Sequence, residues 1–274
     1  MSWVKQLYCT YEAISALKLS DSNNPLTPVG HTMQNTHIEI VLDGEGNFKK
    51  ARVMPAKTAV ILPVTESSES RAGKNPPPHP LADKIQYVAK DYAQYSGEGE
   101  HFFEAYFKQI KAWHDSKFTH PKLKAIFNYI SKGTVINDLI NEKIFWVDDQ
   151  NKIVTKWEKD EPVPEIFSVL PKTKGEINFG SALVCWSVEI EGDYRSETWL
   201  DETLYQSWNN YEASIDKAKG FCLIEGEESQ IATLHPAKLR HTGDKAKLIS
   251  SNDTSGYTFR GRFSSADESA AISR

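Results

Sequence analysis

Between residues 80 and 133 the apolar side chains fall into helical spacing three times in succession, directly after segments that alternate as strands do. Leu81, Ile85, Val88, Tyr92 and Tyr95 make the first face, entered through Pro80, which suits a first helical turn, and broken by Gly97 and Gly99. Phe103, Phe107, Ile110 and Trp113 make the second. Leu123, Ile126, Phe127 and Ile130 make the third, begun after Pro121 and stopped by Gly133. Such aromatic stripes belong to packing rather than to base stacking. Upstream, residues 37–42 set Ile38, Ile40 and Leu42 on one face of a strand. Asp43, Gly44, Glu45 and Gly46 supply turn chemistry before a partner strand over residues 48–54. Residues 58–64 read as a third strand. A period that switches from two to about 3.6 residues and back restricts the fold to the α+β class. The expectation is a mixed, mainly antiparallel sheet built from hairpins, with several amphipathic helices.

The flanks extend this pattern. Trp3, Leu7, Tyr11 and Ile14 predict an N-terminal helix that Asn24, Pro25 and Pro28 end. Residues 144–147 and 152–155, joined by Asp148, Asp149, Gln150 and Asn151, read as a second hairpin. The Pro-, Lys- and Gly-marked residues 162–175 read as a link between possible lobes 1–165 and 176–274. Residues 182–190 read as a strand, and Thr198 with Asp201 as a capping-box-like start for a helix carrying Leu204, Trp208, Tyr211 and Ile215. Gly220 closes that helix before a strand over residues 221–224.

A formal net charge of −5 argues against a generic nucleic-acid binder, but the charge is zoned. Eight lysines and arginines face three acids over residues 49–90, six face Asp115 alone over 108–132, and six face two acids over 235–262. Residues 189–228 reverse the balance, with eleven acids against three basic residues. One basic stretch is explained as a solvated face, whereas three make a positive surface suited to a polyanion. Cys9, Cys185 and Cys222 are widely spaced with no C-x-x-C pair, which fits reduced thiols. No leader-like segment or bilayer-length apolar run is evident, so a soluble, cytoplasmic chain is expected.

Catalytic signatures are few. Adjacent His114 and Asp115 resemble the core of a metal-dependent nuclease or phosphohydrolase, whose chemistry needs further ligands from other helices. His120 is near, but His31, His37 and His79 fall in loop or strand contexts, and a histidine at a helix end is favoured by the dipole in any case. Residues 44–50 lack the spacing and hydroxyl of a phosphate loop, no G-x-S-x-G elbow occurs, and three isolated cysteines do not make a zinc site. Asp148-Asp149 and Glu227-Glu228 are sequence neighbours that point apart. A protein that is not an enzyme, with no cofactor and no metal, is expected.

Two polar loops remain. Residues 65–80 run through Ser67, Ser68, Glu69 and Ser70 to Arg71, Gly73, Lys74 and Asn75, then three prolines. Residues 249–273 place Ser250, Ser251, Asn252, Asp253, Thr254 and Ser255 ahead of Gly256, followed by Tyr257, Phe259, Arg260 and Arg262. Side chains of this kind favour turns over regular ladders, and forked arginines beside aromatics suit phosphate and base contacts. A solvated polar loop leading into an edge strand is the plainer alternative.

The second stretch resembles the block that marks the large subunit of the type I-C CRISPR Cascade, an RNA-guided DNA surveillance complex. Leu248 and Ile249, Asn252 and Asp253, residues 257–263 and residues 265–268 carry the match. Residues 61–64, residues 79–81, Asp83 and Lys84 match the family's Leu-Pro-Val strand end and its His-Pro-Leu-x-Asp-Lys helix start. The resemblance implies a subunit that reads a short protospacer-adjacent motif in duplex DNA. Such a subunit promotes R-loop formation, steadies the displaced strand and helps recruit the helicase-nuclease without itself cutting. Implied partners are target double-stranded DNA, crRNA, the backbone subunits of Cascade and the helicase-nuclease effector. Phage anti-CRISPR proteins that mimic DNA are a further partner suggested by the basic zones. Family members usually continue into a helical C-terminal domain, so residues 1–274 read as the N-terminal motif-recognition region.

Motif reading in these complexes is largely from the minor groove, where a small amide both donates and accepts. This points to Asn252, supported by Ser251 and Thr254, or to Asn75 with Lys74 and Arg71. Lys245, Lys247, Arg260 and Arg262 would hold phosphates and set register. Pairing of Arg260 and Arg262 with Asp267 or Glu268 stays open, as does a scaffold whose basic zones meet only protein.

Overall fold

Helix α1 (Trp3–Ala16) and strands β1 (His31–Asn35), β2 (Ile38–Asp43), β3 (Phe48–Val53) and β4 (Ala59–Pro63) open the computed structural model. The structure describes residues 3–17, 26–69, 71, 73–96, 102–158, 162–217, 219–236, 244, 246–247, 249 and 270–273. A helical block follows: α2 (Glu66–Glu69), α3 (Ile85–Val88), α4 (Tyr92–Ser96), α5 (Phe103–His114), α6 (Pro121–Lys132), α7 (Val135–Asn141) and α8 (Ile166–Val169). Strands β5 (Lys172–Thr173), β6 (Glu176–Ile177) and β7 (Val184–Glu189), helix α9 (Glu202–Ser214), and strands β8 (Lys219–Phe221) and β9 (Glu228–Gln230) complete it. The architecture is mixed α+β, as the change of period predicts.

The main sheet has the order β3-β2-β7, antiparallel on one side of β2 and parallel on the other. Ile38, Ile40 and Leu42 are fully buried on one face of β2, and Glu39 and Val41 are buried on the other. The Glu39 carboxylate is held there by Arg52 and by the Ser187 hydroxyl, which donates at 2.6 Å. Parallel pairing from Ile38↔Val184 to Asp43↔Glu189 needs a long crossover, and the helical block provides it. This parallel pair has no local signal in the sequence. Nor has β1, which pairs antiparallel with β4 in a second, two-stranded sheet.

The β2–β3 turn is organised by Asp43, whose carboxylate accepts the backbone N–H of Glu45 at 3.0 Å and of Asn47 at 2.7 Å. Those donors, that of Asn47 foremost, pull the Asp43 pKa below the ordinary aspartate value. Gly46, at φ +81°, then packs directly on the backbone of α6.

Four expectations are corrected, one of them at Gly220, which lies inside β8 while α9 already ends at Ser214. The helix read over residues 80–95 is two short helices, α3 and α4, separated by Ala89 in an extended conformation. Beside the break, the Asp91 carboxylate accepts the Ile136 and Asn137 N–H groups at 2.9 and 3.1 Å, capping α7. The hairpin read over residues 144–155 reduces to one bridge, Val147↔Ile153, around a turn closed by Asp148. The N-cap of α9 is Asp201, which accepts from the Thr203 and Leu204 N–H groups at 2.9 and 3.3 Å, whereas Thr198 donates to the Trp186 carbonyl.

Helices α5 and α6 form where the periodicity placed them. Helix α6 has His120 as N-cap, Pro121 in its first turn and Gly133 in the left-handed conformation at its end. Trp113, Trp186 and Trp208 are among the largest fully buried side chains. Each indole N–H is satisfied, by the Ser207 hydroxyl and by the Leu81 and Gly30 carbonyls respectively, which is what lets such amphipathic rings sit inside. The edge-on contact of Trp113 with Trp208, centroids 5.1 Å apart, seats α9 on α5. The three cysteines are free thiols, and burial pushes the Cys185 thiol up to about 12. Among the described residues no helix is long and apolar enough to cross a membrane.

Candidate nucleic-acid interface

The loop after β4 is built around one buried carboxylate. Its near end is tied locally: the Ser68 N–H donates to the Thr65 hydroxyl at 3.1 Å, and the Thr65 N–H donates to the Ser68 hydroxyl at 3.0 Å. That hydroxyl also meets Nδ1 of buried His79 at 3.0 Å. Asp83, fully buried, then takes two parallel bonds from Arg71, Nη1 to Oδ2 at 2.7 Å and Nη2 to Oδ1 at 2.8 Å. The same carboxylate accepts the backbone N–H groups of His79 and Lys84, each at 2.7 Å. Burial works against the charge on Arg71, but its bond to Asp83 more than compensates, and the guanidinium is held above its ordinary pKa.

Three further contacts fix the far end. Arg71 lies over the Tyr87 ring, 4.9 Å from its centroid, and reaches the Pro77 carbonyl at 3.3 Å. The Tyr87 hydroxyl donates to the Pro76 carbonyl at 3.0 Å. Between these anchors stand Gly73, Lys74 and Asn75, all exposed, with Gly73 at φ +87°. Neither Lys74 nor Asn75 bonds through its side chain to another described residue. Of the first sequence-predicted trio, Lys74 and Asn75 form a presented tip, and Arg71 belongs to its foundation.

The second set of candidates, Lys245, Ser251, Asn252, Thr254, Arg260 and Arg262, lies outside the described residues. Lys247 is described and half-buried, close enough to His235 to depress the pKa of that imidazole, which burial already lowers. His235 is buried, and its Nε2 has no hydrogen-bond partner among the described residues. Its neighbour Leu234 donates its N–H to the Glu66 carboxylate. Helix α2 therefore touches both the base of the loop and the chain leading to the second set. The cleft beside it, about 320 Å³, is lined in part by Glu66 and Glu212, with Lys217 bonded to Glu212 at 3.2 Å. Its carboxylates suit it poorly to an anion.

His114 and Asp115 end α5 as expected, but they bond each other, Nδ1 to Oδ1 at 2.8 Å, and Lys111 takes the other carboxylate oxygen. The His114 ring stacks on Phe127 with centroids 4.3 Å apart. No group of three metal-ligating side chains occurs among the described residues. His120 is likewise occupied, accepting the Lys122 N–H as helix cap and meeting the Thr203 hydroxyl at 3.1 Å.

Sequence reasoning missed the charge cluster beneath that cap. Lys122 is fully buried, its ammonium 2.5 Å from Asp201 and 2.9 Å from Asp193, and it also donates to the Arg195 carbonyl. Every oxygen around it has a structural bond, so the cluster joins α6 to α9 rather than offering a site. A signal was present: Lys122 sits four residues before Ile126 and seven before Tyr129, on the apolar face of its helix.

The family model described as CRISPR-associated protein (Cas_Csd1) matches residues 7–274. A comparison with curated proteins finds no match. With a match over most of its length, the chain belongs to the CRISPR-associated protein family Cas_Csd1.

Proposed function

We propose that this chain is the large, motif-reading subunit of a type I-C CRISPR surveillance complex, and that it binds duplex target DNA without cutting it. The observation that carries this reading is the exposed Lys74–Asn75 tip on a base clamped by a buried ion pair. Lys74 brings a flexible positive charge to a phosphate, and Asn75 brings an amide able to donate and accept on base edges in a narrow groove. Clamping lowers the entropy lost when the tip is fixed on DNA. Residues Lys245, Lys247, Ser251, Asn252, Thr254, Arg260 and Arg262 complete the DNA-binding set, with Lys247 reached through the contact of residues 234–235 with α2.

In this role the chain works in the cytoplasm with crRNA, the backbone subunits of the complex and a helicase-nuclease. It opens the duplex beside the motif and leaves strand scission to that effector. Charge reversal at the tip tests the reading. Lys74→Glu is expected to weaken binding of the assembled complex to target duplex by about tenfold and to flatten the slope of log affinity against log salt by about one or two. An unchanged affinity and slope would remove Lys74 from the interface.

A further inference from the structure

Arg71 invites assignment as a phosphate contact, yet its geometry fits another task. Its side chain is only 14% exposed, and both terminal nitrogens are taken by Asp83, with the Pro77 carbonyl as a third acceptor. Asp83 has no solvent exposure and receives four bonds, two from Arg71 and two from backbone N–H groups on the far side of the tip. One carboxylate thus ties the residue before the tip to the chain after it. The three prolines restrict the return path, since each fixes its own φ, and Tyr87 holds the first of them by its carbonyl. Gly73 lacks any neighbour that would restrain it, with open space within 4 Å of where a Cβ would stand. Any fixed placement of the tip must therefore come from the clamp.

We propose that Arg71 and Asp83 are positioning residues for DNA recognition: their buried ion pair presents Lys74 and Asn75 at a fixed spacing, and Arg71 itself touches no phosphate. This rests on the reading that the tip meets duplex DNA. Arginine is required because a lysine supplies the charge without the planar fork that bridges both carboxylate oxygens.

The test is a double-mutant cycle on the full chain in its assembled complex, probed with a duplex oligonucleotide carrying the recognised motif. Lys74→Ala should weaken binding by about fivefold and Arg71→Lys by at least as much, and the double variant should be no weaker than Arg71→Lys alone within about twofold, because the contact of Lys74 is already lost once the clamp is loosened. Two results would overturn the inference: Arg71→Lys binding like the parent, or losses that multiply in the double variant. If Lys74→Ala alone has no effect, the recognition reading falls and the positioning role falls with it. A loss at Lys74 with multiplicative behaviour at Arg71 sinks only the positioning role. Tyr87→Phe gives a second route should Arg71→Lys melt at the assay temperature. It removes one bond to Pro76, and its smaller loss should vanish in the Lys74→Ala/Asn75→Ala background, whereas a loss that multiplies there contradicts the proposal.

Discussion

Lys122→Ala is expected to cost the folded protein about 3–5 kcal/mol, read as a fall in the urea midpoint at constant slope. The ammonium is fully buried between Asp201 and Asp193 and also bonds the Arg195 carbonyl, so its removal strands groups rather than merely deleting a pair. Asp201 suffers most. Its side chain is 8% exposed, against 35% for Asp193, which water can reach. Because Asp201 also caps α9, the loss spreads to the helix that carries Trp208. Lys122→Met combined with Asp201→Asn keeps volume and cap while removing both charges, and should recover more than half of the loss.

The same cluster sets an acid limit. Burial alone would raise the Asp201 carboxyl, but the Lys122 ammonium and the Thr203 hydroxyl outweigh it and bring the pKa down from 3.8 to about 2. A depressed carboxylate stabilises the fold fully above the unfolded pKa, and the contribution fades as pH falls from about 4 through about 2. Screening by water holds its size to about 1 kcal/mol, and it should shrink in the acid titration of Lys122→Ala.

Gly46→Val is the second large effect, at roughly 3 kcal/mol or more. At φ +81° an L side chain is strained before any contact is counted, and a Cβ there would lie 2.3 Å from the Ala125 carbonyl oxygen and 2.9 Å from the Asn128 Cβ. The first of these atoms is helix backbone, which cannot swing aside, so the β2–β3 turn must lift off α6. Gly73→Ala is the control, because it shares a positive φ of +87° but meets nothing within 4 Å. It should cost only about 1 kcal/mol, and thermal melts of the two variants separate strain from collision.

Much of the fold was legible because its signals are local. The Ile38, Ile40, Leu42 alternation and the Asp43–Gly46 turn define a hairpin without outside help, and α5 and α6 carry their own apolar stripes and stops. What escaped depends on residues far apart in the chain. The pairing of β2 with β7 spans the whole helical block, and Asp91, beside the break in one helical run, caps another. Arg71 shows the same limit at the site. Beside Lys74 and Asn75 it reads as one more DNA contact, and only the folded chain brings Asp83 under it. The exposure of Lys74 and Asn75 was legible because a Gly-Lys-Asn run before three prolines has no apolar residue to pull it inward.

We propose that this tip reads a motif in duplex DNA. The most direct measurement is the ratio of affinities of the assembled complex for targets with and without the correct motif, in the parent and in Asn75→Ala. We predict that Asn75→Ala lowers that ratio by about tenfold while assembly stays intact, since an amide lost from a base edge removes discrimination of about 1–3 kcal/mol. A ratio equal to that of the parent would contradict the placement of the tip in the groove.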